Sequence, residues 1–188
     1  MKHNLYNMRC LDIYLSGLSL EEYERIKHQI DPSKIKKGPL LSWDIFTENY
    51  QKKIDEARKN VEIQQVISLA KKFSWKNDLN IAFKENDYEA LVITDLNQRI
   101  IWINEGFTKM TGYSKKFAIN KTPEFLQGEK TSRETKRRLR ENIIQNKPFK
   151  DIIVNYKKDR TAYNCEIKII PLFNDQTTHY IAFEKEVI

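Results

Sequence analysis

Four apolar runs in the second half of this chain constrain its fold more than any other feature. Val92-Ile93, Ile100–Ile103, Ile152-Ile153-Val154 and Ile181-Ala182-Phe183 are continuous, yet each sits in a stretch that reads as β-strand. An antiparallel sheet with one wet face alternates apolar and polar residues, because successive side chains point to opposite faces. Strands without that alternation have both faces covered. A sheet between two layers is therefore expected. One layer can come from short helices in the same half, the other from the N-terminal part of the chain or from a second protomer.

The first 85 residues have the period to supply that second layer. Ser19-Leu20-Glu21-Glu22 is a capping box, with Leu18 and Tyr23 at the staple positions around it. The helix it opens is expected to stop near Ile30, since Asp31-Pro32 disfavours helical geometry before the proline. Lys36-Lys37-Gly38-Pro39 reads as a polar connector. Ser42 then caps a longer helix to about Trp75, with Trp43, Phe46, Tyr50, Ala57, Val61, Val66, Ile67, Ala70 and Phe73 forming an apolar stripe. Its seam is too irregular for a long coiled coil.

From about Asn86 the period becomes that of strands. Leu91–Asp95 and Ile100–Asn104 flank a tight turn in which Asn97 is the residue suited to a left-handed conformation. Glu105–Gly112 reads as a short helix with a glycine C-cap. Thr131-Ser132-Arg133-Glu134 is a second capping box, opening a helix to about Gln145, with Asn146 closing it and Pro148 beyond. Three strands follow, Asp151–Tyr156, Tyr163–Ile170 and His179–Glu186, with turns at Lys158-Asp159-Arg160 and Asn174-Asp175-Gln176. Two strands, helices, then three strands make an antiparallel α+β domain.

Composition excludes several classes. With 40% hydrophobic and 11% aromatic residues in 188, disorder is excluded. No apolar run approaches the roughly 20 residues of a membrane span, and the first residues lack the apolar stretch of a secretory signal. Cys10 and Cys165 make no disulfide framework, so a cytoplasmic protein is expected. Glu129–Lys168 holds twelve Lys/Arg and six Asp/Glu, supplying +6 of the net +7. That stretch raises nucleic-acid binding as an alternative, though no recognition motif accompanies it; a solvated helix face is the plainer reading.

The run from Leu91 to Tyr113 resembles the opening hairpin and first helix of the PAS sensory domain. Phe125-Leu126-Gln127-Gly128, the capped helix after it and Asn155-Tyr156-Lys157-Lys158-Asp159 resemble the blue-light-sensing LOV subclass and its close relatives. Ile170–Asp175 resembles the closing hairpin. The resemblance covers about residues 86–188 and implies a five-stranded antiparallel sheet of order 2-1-5-4-3, with helices enclosing a small-molecule pocket on one face. Residues 1–85 are expected to be a helical extension serving as a dimer or partner interface.

The resemblance also places a candidate pocket and its departures. Gln127 and Arg140 match flavin-tail contacts, and Asn155 matches a ring-binding amide. Pro123 stands at the reactive cysteine of the flavin photosensors, and a flavin–cysteinyl bond needs a thiol. Glu124 replaces a phosphate-binding arginine, Cys165 replaces a second ring-binding Asn, and Glu184 replaces the ring-facing Gln. An ionised carboxylate cannot donate to a flavin carbonyl as an amide does. Gln127, Arg140, Asn155, Cys165 and Glu184 are thus the candidate pocket positions, with no cofactor expected and FMN as the alternative. Tyr180, Ala182 and Glu184 should face the pocket and Ile181 and Phe183 the outer side, with Glu184 paired to a partner such as Asn155, Tyr156 or a basic residue. Of the histidines His3, His28 and His179, none falls where a heme ligand is expected.

These readings combine into a signalling module that is not an enzyme and works by protein contact. It is expected to be a homodimer, with output through the N-terminal helices or to a partner in trans. Non-covalent binding of a small molecule such as flavin is a second reading.

Overall fold

The computed structural model describes residues 17–27 and 43–187, with side chains in the second segment given from residue 53. The chain divides into two units, Met1–Ile54 and Asp55–Ile188. In the first, helix α1 spans Leu20–Ile26, and its start is the reciprocal capping box expected. The Ser19 hydroxyl accepts from the Glu22 N–H at 3.4 Å, and the Glu22 carboxylate accepts from the Ser19 N–H at 2.9 Å. Those bonds favour the charged form and lower the Glu22 pKa. The expected stop near Ile30, the Lys36–Pro39 connector and the Ser42 cap lie outside the described residues, as do the side chains of Trp43, Phe46 and Tyr50.

Helix α2 runs Trp43–Phe73 and ends two residues before Trp75. Ser74 takes φ 57°, and the Trp75 N–H reaches back to the Ala70 carbonyl at 2.9 Å, closing the helix in a Schellman turn without a glycine. Helix α3, Leu79–Glu85, follows, with the Asp78 side chain accepting from the Ile81 N–H. This helix was not anticipated as a separate element.

The sheet comprises β1 (Ala90–Asp95), β2 (Ile100–Ile103), β3 (Phe149–Tyr156), β4 (Ala162–Phe173) and β5 (Thr177–Val187). Its order is β2-β1-β5-β4-β3, antiparallel throughout, as the resemblance implied. Between β2 and β3 lie α4 (Glu105–Thr111), α5 (Lys115–Ala118), a 3₁₀ turn (Pro123–Leu126) and α6 (Arg133–Ile144). Gly112 closes α4 at φ 76°, as expected for a glycine C-cap. Gly106 in α4 is needed for a different reason: a Cβ there would fall 1.8 Å from the Glu89 carbonyl oxygen.

Two turns differ from expectation. In the β1–β2 hairpin the left-handed residue is Gln98, at φ 59°, not Asn97. The Gln98 N–H bonds the Asp95 carbonyl and the Asp95 N–H bonds the Arg99 carbonyl, so the turn residues Leu96 and Asn97 precede the bulge position that must turn left. At α6 the cap is Ser132, whose hydroxyl accepts from the Thr135 N–H, one residue later than expected. Thr131 is drawn away from capping because its hydroxyl donates to the Val154 carbonyl and accepts from the Gly128 N–H.

The continuous runs are explained by two apolar layers, one on each face. The inner layer contains Val92, Ile103, Phe107, Leu126, Ile153, Tyr180 and Ala182. The outer layer contains Leu91, Ile93, Trp102, Ile181 and Phe183 on the strands, met by Val66, Leu69, Ala70 and Phe73 of α2 and Leu79, Ala82 and Phe83 of α3. The chain's own helices therefore cover the outer face. Phe183 meets Phe83 and Tyr88 edge-on at 5.5 and 5.8 Å, and its burial contributes about 1.5–3 kcal/mol. Polar ties fix the helices in place. The Asn77 side chain exchanges hydrogen bonds with Pro171 and Phe173, and the Trp75 indole donates to Thr178 and His179.

Candidate functional site

The inner face keeps room between the sheet and α6. A cavity of about 90 Å³ is walled by Leu126, Leu139, Ile143, Ile153, Ile167 and Ile169 and carries Gln127, Arg140, Asn155 and Glu184 as polar groups. A second space of about 50 Å³, bounded by Thr94, Tyr180 and Ala182, shares Gln98, Pro123 and Glu184 with the first. Four of the five expected pocket positions thus line one cleft. Cys165 lies on the same face in the apolar layer but is not among the residues lining the cleft.

Alternation along β5 places Glu184 here, with Tyr180 and Ala182 inward and Ile181 and Phe183 outward, as the register reading anticipated. Glu184 is 3% exposed, and its Oε2 has no hydrogen-bond partner, so the expected partner is not present. The reason is geometric. The neighbours across the ladder at Glu184 are Ala90 and Ile167, which offer no donor side chain. Lys185, next in sequence, points to the other face and pairs with Asp87. Burial alone raises the Glu184 pKa to about 7, leaving a largely neutral carboxylic acid in mildly acidic solution.

The mouth is polar. Arg140 meets Glu124 at 2.8 Å, and both side chains are more than half exposed. Arg138 grips Asp151 of β3 through two bonds of 2.6 and 2.8 Å, which holds that carboxyl below its usual range. Tyr180 donates to Asn146 at 2.7 Å, and Asn146, at φ 51°, closes α6 as expected. The sheet is therefore tied to the middle and to the C-terminal end of the helix over the cleft. On the inner face, burial pushes the Tyr163 phenol and the Cys165 thiol up. Asn155 lies close enough to Tyr163 to oppose that rise but not in hydrogen-bond geometry. A buried thiol held protonated is a poor nucleophile.

The residues present do not fit a flavin nucleotide. The position facing the ring edge holds an unpartnered acid and Glu124 occupies Arg140, while Pro123 removes only the thiol of a covalent adduct. The cavity is also well below the roughly 300–1,000 Å³ of ordinary ligand pockets. Among the described residues, no group of three His, Cys, Asp or Glu could hold a metal ion. His179 packs at a tilt against Phe73, ring centroids 4.3 Å apart, where burial lowers its pKa, and His3, His28 and Cys10 lie outside the described residues.

The sequence reading missed Gln98 and Thr94 as wall residues and Asn146 as the hydroxyl acceptor for Tyr180. Only Asn146 left a signal, its place at the end of α6. Five of the twelve basic residues of the stretch form ion pairs: Arg137 with Glu141, Arg138 with Asp151, Arg140 with Glu124, Lys150 with Glu166 and Lys157 with Glu186.

A five-stranded antiparallel sheet with short helices over an inner cleft defines the class of small sensory domains. The PAS domain family model matches residues 89–187, and this chain belongs to that family. It is 33% identical over 101 residues to a blue-light photoreceptor of Listeria monocytogenes, covering 52% of this chain and 40% of that protein. It is 30% identical over 100 residues to a nitrogen fixation regulatory protein of Klebsiella oxytoca, covering 52% of this chain and 20% of that one. The chain thus spans less than half the length of these curated relatives. Among solved structures, the LOV domain of a blue-light-activated histidine kinase from Erythrobacter litoralis superposes with a TM-score of 0.51 at 26% identity, over 54% of this chain and 98% of that one. The matched segment is a PAS-type sensory and signalling domain, and no enzymatic domain is covered by these matches. No helix among the described residues is long and apolar enough to cross a membrane.

Proposed function

We propose that this chain is a cytoplasmic signalling module in which residues 86–188 sense and residues 1–85 transmit, by protein contact and as a homodimer. One observation carries this reading: α2 carries exposed apolar side chains on a face other than the one it packs on the sheet. Val66 is fully buried, whereas Val61, about 140° round the helix from it, is 57% exposed, and Ala57, on the same face as Val61, is exposed as well. An exposed apolar face on a helix already packed against its own sheet is suited to a twofold mate. The helix is also coupled to the sensory part, since Glu62 accepts from the Asn104 amide at 3.0 Å while Asn104 accepts from the Leu91 and Phe107 N–H groups. The similarity to regulatory proteins and light-activated kinases supports a signalling role. Adduct photochemistry is no part of it, because Pro123 has no thiol. The basic stretch carries no nucleic-acid recognition motif and gives little support to nucleic-acid binding.

Sedimentation equilibrium of the full chain tests the reading. The expected result is a dimer that Val61→Asp weakens at least tenfold without loss of helix content. A monomer at 100 µM (about the highest concentration at which weak signalling contacts are meaningful) would overturn it.

A further inference from the structure

The end of α2 is fastened to the sheet by ties that differ in one chemical respect. At the corner after Ser74, the Lys76 N–H donates to the Phe173 carbonyl at 2.8 Å, and the Asn77 side chain bonds Pro171 and Phe173. Backbone and amide groups make such bonds whatever the pH. The tie at Trp75 is conditional. Its indole, 8% exposed, shares one N–H between Thr178 Oγ1 at 3.1 Å and His179 Nδ1 at 3.2 Å. Nδ1 accepts only while the imidazole is neutral with its proton on Nε2. The Phe73 ring rests on the same imidazole at 4.3 Å, so two aromatic residues around the end of α2 depend on one titratable side chain.

The charges around His179 come from each element packed on it. Asp95 faces it across the β1 ladder and favours the cation, but that carboxylate already accepts from the Arg99 N–H at 2.8 Å. The ladder neighbour on β4, Leu172, is apolar. From α2, the Lys72 ammonium lies over the Phe73 ring at 5.3 Å, so a second cation against that ring is opposed. Lys71 is exposed, and at the corner Lys76 pairs with Asp175 at 2.7 Å. Burial outweighs the pull of Asp95 and holds the imidazole below its usual 6.5. Above that value the ring is neutral and accepts; the cation grows in only as the pH falls below it.

We propose that His179 is a pH-sensitive latch on the end of α2: its neutral ring locks Trp75 and Phe73 to β5, and mild acid releases them. Once Nδ1 carries a proton, two N–H groups meet at 3.2 Å. The cation then donates to Thr178 Oγ1, 2.9 Å away, and competes with the indole for that oxygen. The last turn of α2 loosens while the bonds of Lys76 and Asn77 keep the corner in place. An asparagine would accept from the indole at every pH; a histidine makes the bond depend on it. Where the signalling reading holds, the latch makes the coupling of α2 to the sheet responsive to acid. The latch itself does not need the dimer, so either can fail alone.

The test follows the Trp75 indole N–H by nuclear magnetic resonance in the full chain, with isotope-labelled tryptophan and histidine. Trp102, on β2 in the same outer layer, is the internal control. A Glu184→Gln background removes the cleft acid, which titrates toward 7 and would contribute in the same range. From about pH 7.5 to about pH 5, protection of the Trp75 N–H against solvent exchange should fall about tenfold, with the midpoint of the His179 ring titration. Trp102 should keep its protection. His179→Asn, which keeps an acceptor and has no proton to gain, should hold Trp75 equally at both pH values. Equal losses at Trp75 and Trp102 would mean general loosening and would overturn the proposal. So would a His179 ring that titrates with no change at Trp75, or a loss that persists in His179→Asn. A ring still neutral at about pH 4 would overturn it as well.

Discussion

The two faces of the sheet are built from the same five strands yet are finished in opposite ways. The outer face is dry and aromatic: Phe73, Trp75, Phe83, Tyr88, Trp102 and Phe183 close against the strands under two helices. The inner face is mainly aliphatic where it is packed, and it keeps two spaces and an unpaired acid, while each layer holds one unpaired phenol, Tyr163 inside and Tyr88 outside. Aromatic rings fill area with few rotatable bonds, so the outer layer holds the helices in one arrangement. Aliphatic walls with a polar exception leave something to be recognised. The difference teaches that stability and selectivity are assigned to different sides of one sheet.

Breaking the outer layer should have the largest effect. Phe183→Ala removes a ring that is 2% exposed and meets two others, and urea denaturation should show a loss of about 3–5 kcal/mol. A loss under about 1 kcal/mol would mean that this face is not the one that holds the domain together.

The inner face should reveal itself through pH. The Glu184 pKa is raised from 4.5 to about 7, so between these values the folded state keeps a proton that the unfolded state has released. The contribution is fully present below pH 4.5 and is lost as pH rises toward 7, by about 3 kcal/mol in all at 1.36 kcal/mol per unit. Glu184→Gln should flatten that fall. Denaturation midpoints from pH 4 to 8.5 compare the two proteins, and parallel curves would contradict the buried acid.

A smaller effect sharpens the junction between helices and sheet. Asn104→Ala removes the cap of α4 and strands the Leu91 N–H, costing about 2 kcal/mol, measurable by thermal unfolding. Glu62→Ala should cost less and act chiefly on dimer-dependent output, because Asn104 retains its two bonds from the backbone. The smallest change is expected at the cleft mouth. Arg140→Ala breaks an exposed pair and should alter stability by less than about 1 kcal/mol.

Much of this contrast was legible before any coordinates. The non-alternating runs implied two covered faces, and the register implied by the family resemblance put Glu184 inside and Phe183 outside. What covers the outer face was not legible, because an apolar stripe names a surface but not its mate. On α2 the sheet takes Val66, Ala70 and Phe73, while Val61 and Ala57 stand on a different, exposed face of the same helix. The missing partner of Glu184 was equally hidden. Its neighbours across the ladder are set by strand order, and a charge pattern read along one strand does not supply them. The left-handed Gln98 was missed because bulge geometry, not residue preference, decides which position turns.

The central position of β5 carries a consequence for how such a chain can diverge. Its odd and even residues serve opposite layers, so one residue inserted between Tyr180 and Glu184 would carry an acid into the aromatic layer and a phenyl ring into the cleft. The loop at Lys158–Arg160 joins β4 to an edge strand and has no such obligation. Length changes should therefore be tolerated at that loop and excluded from the middle of β5, and a library of single-residue insertions scored for folded protein would trace this boundary directly.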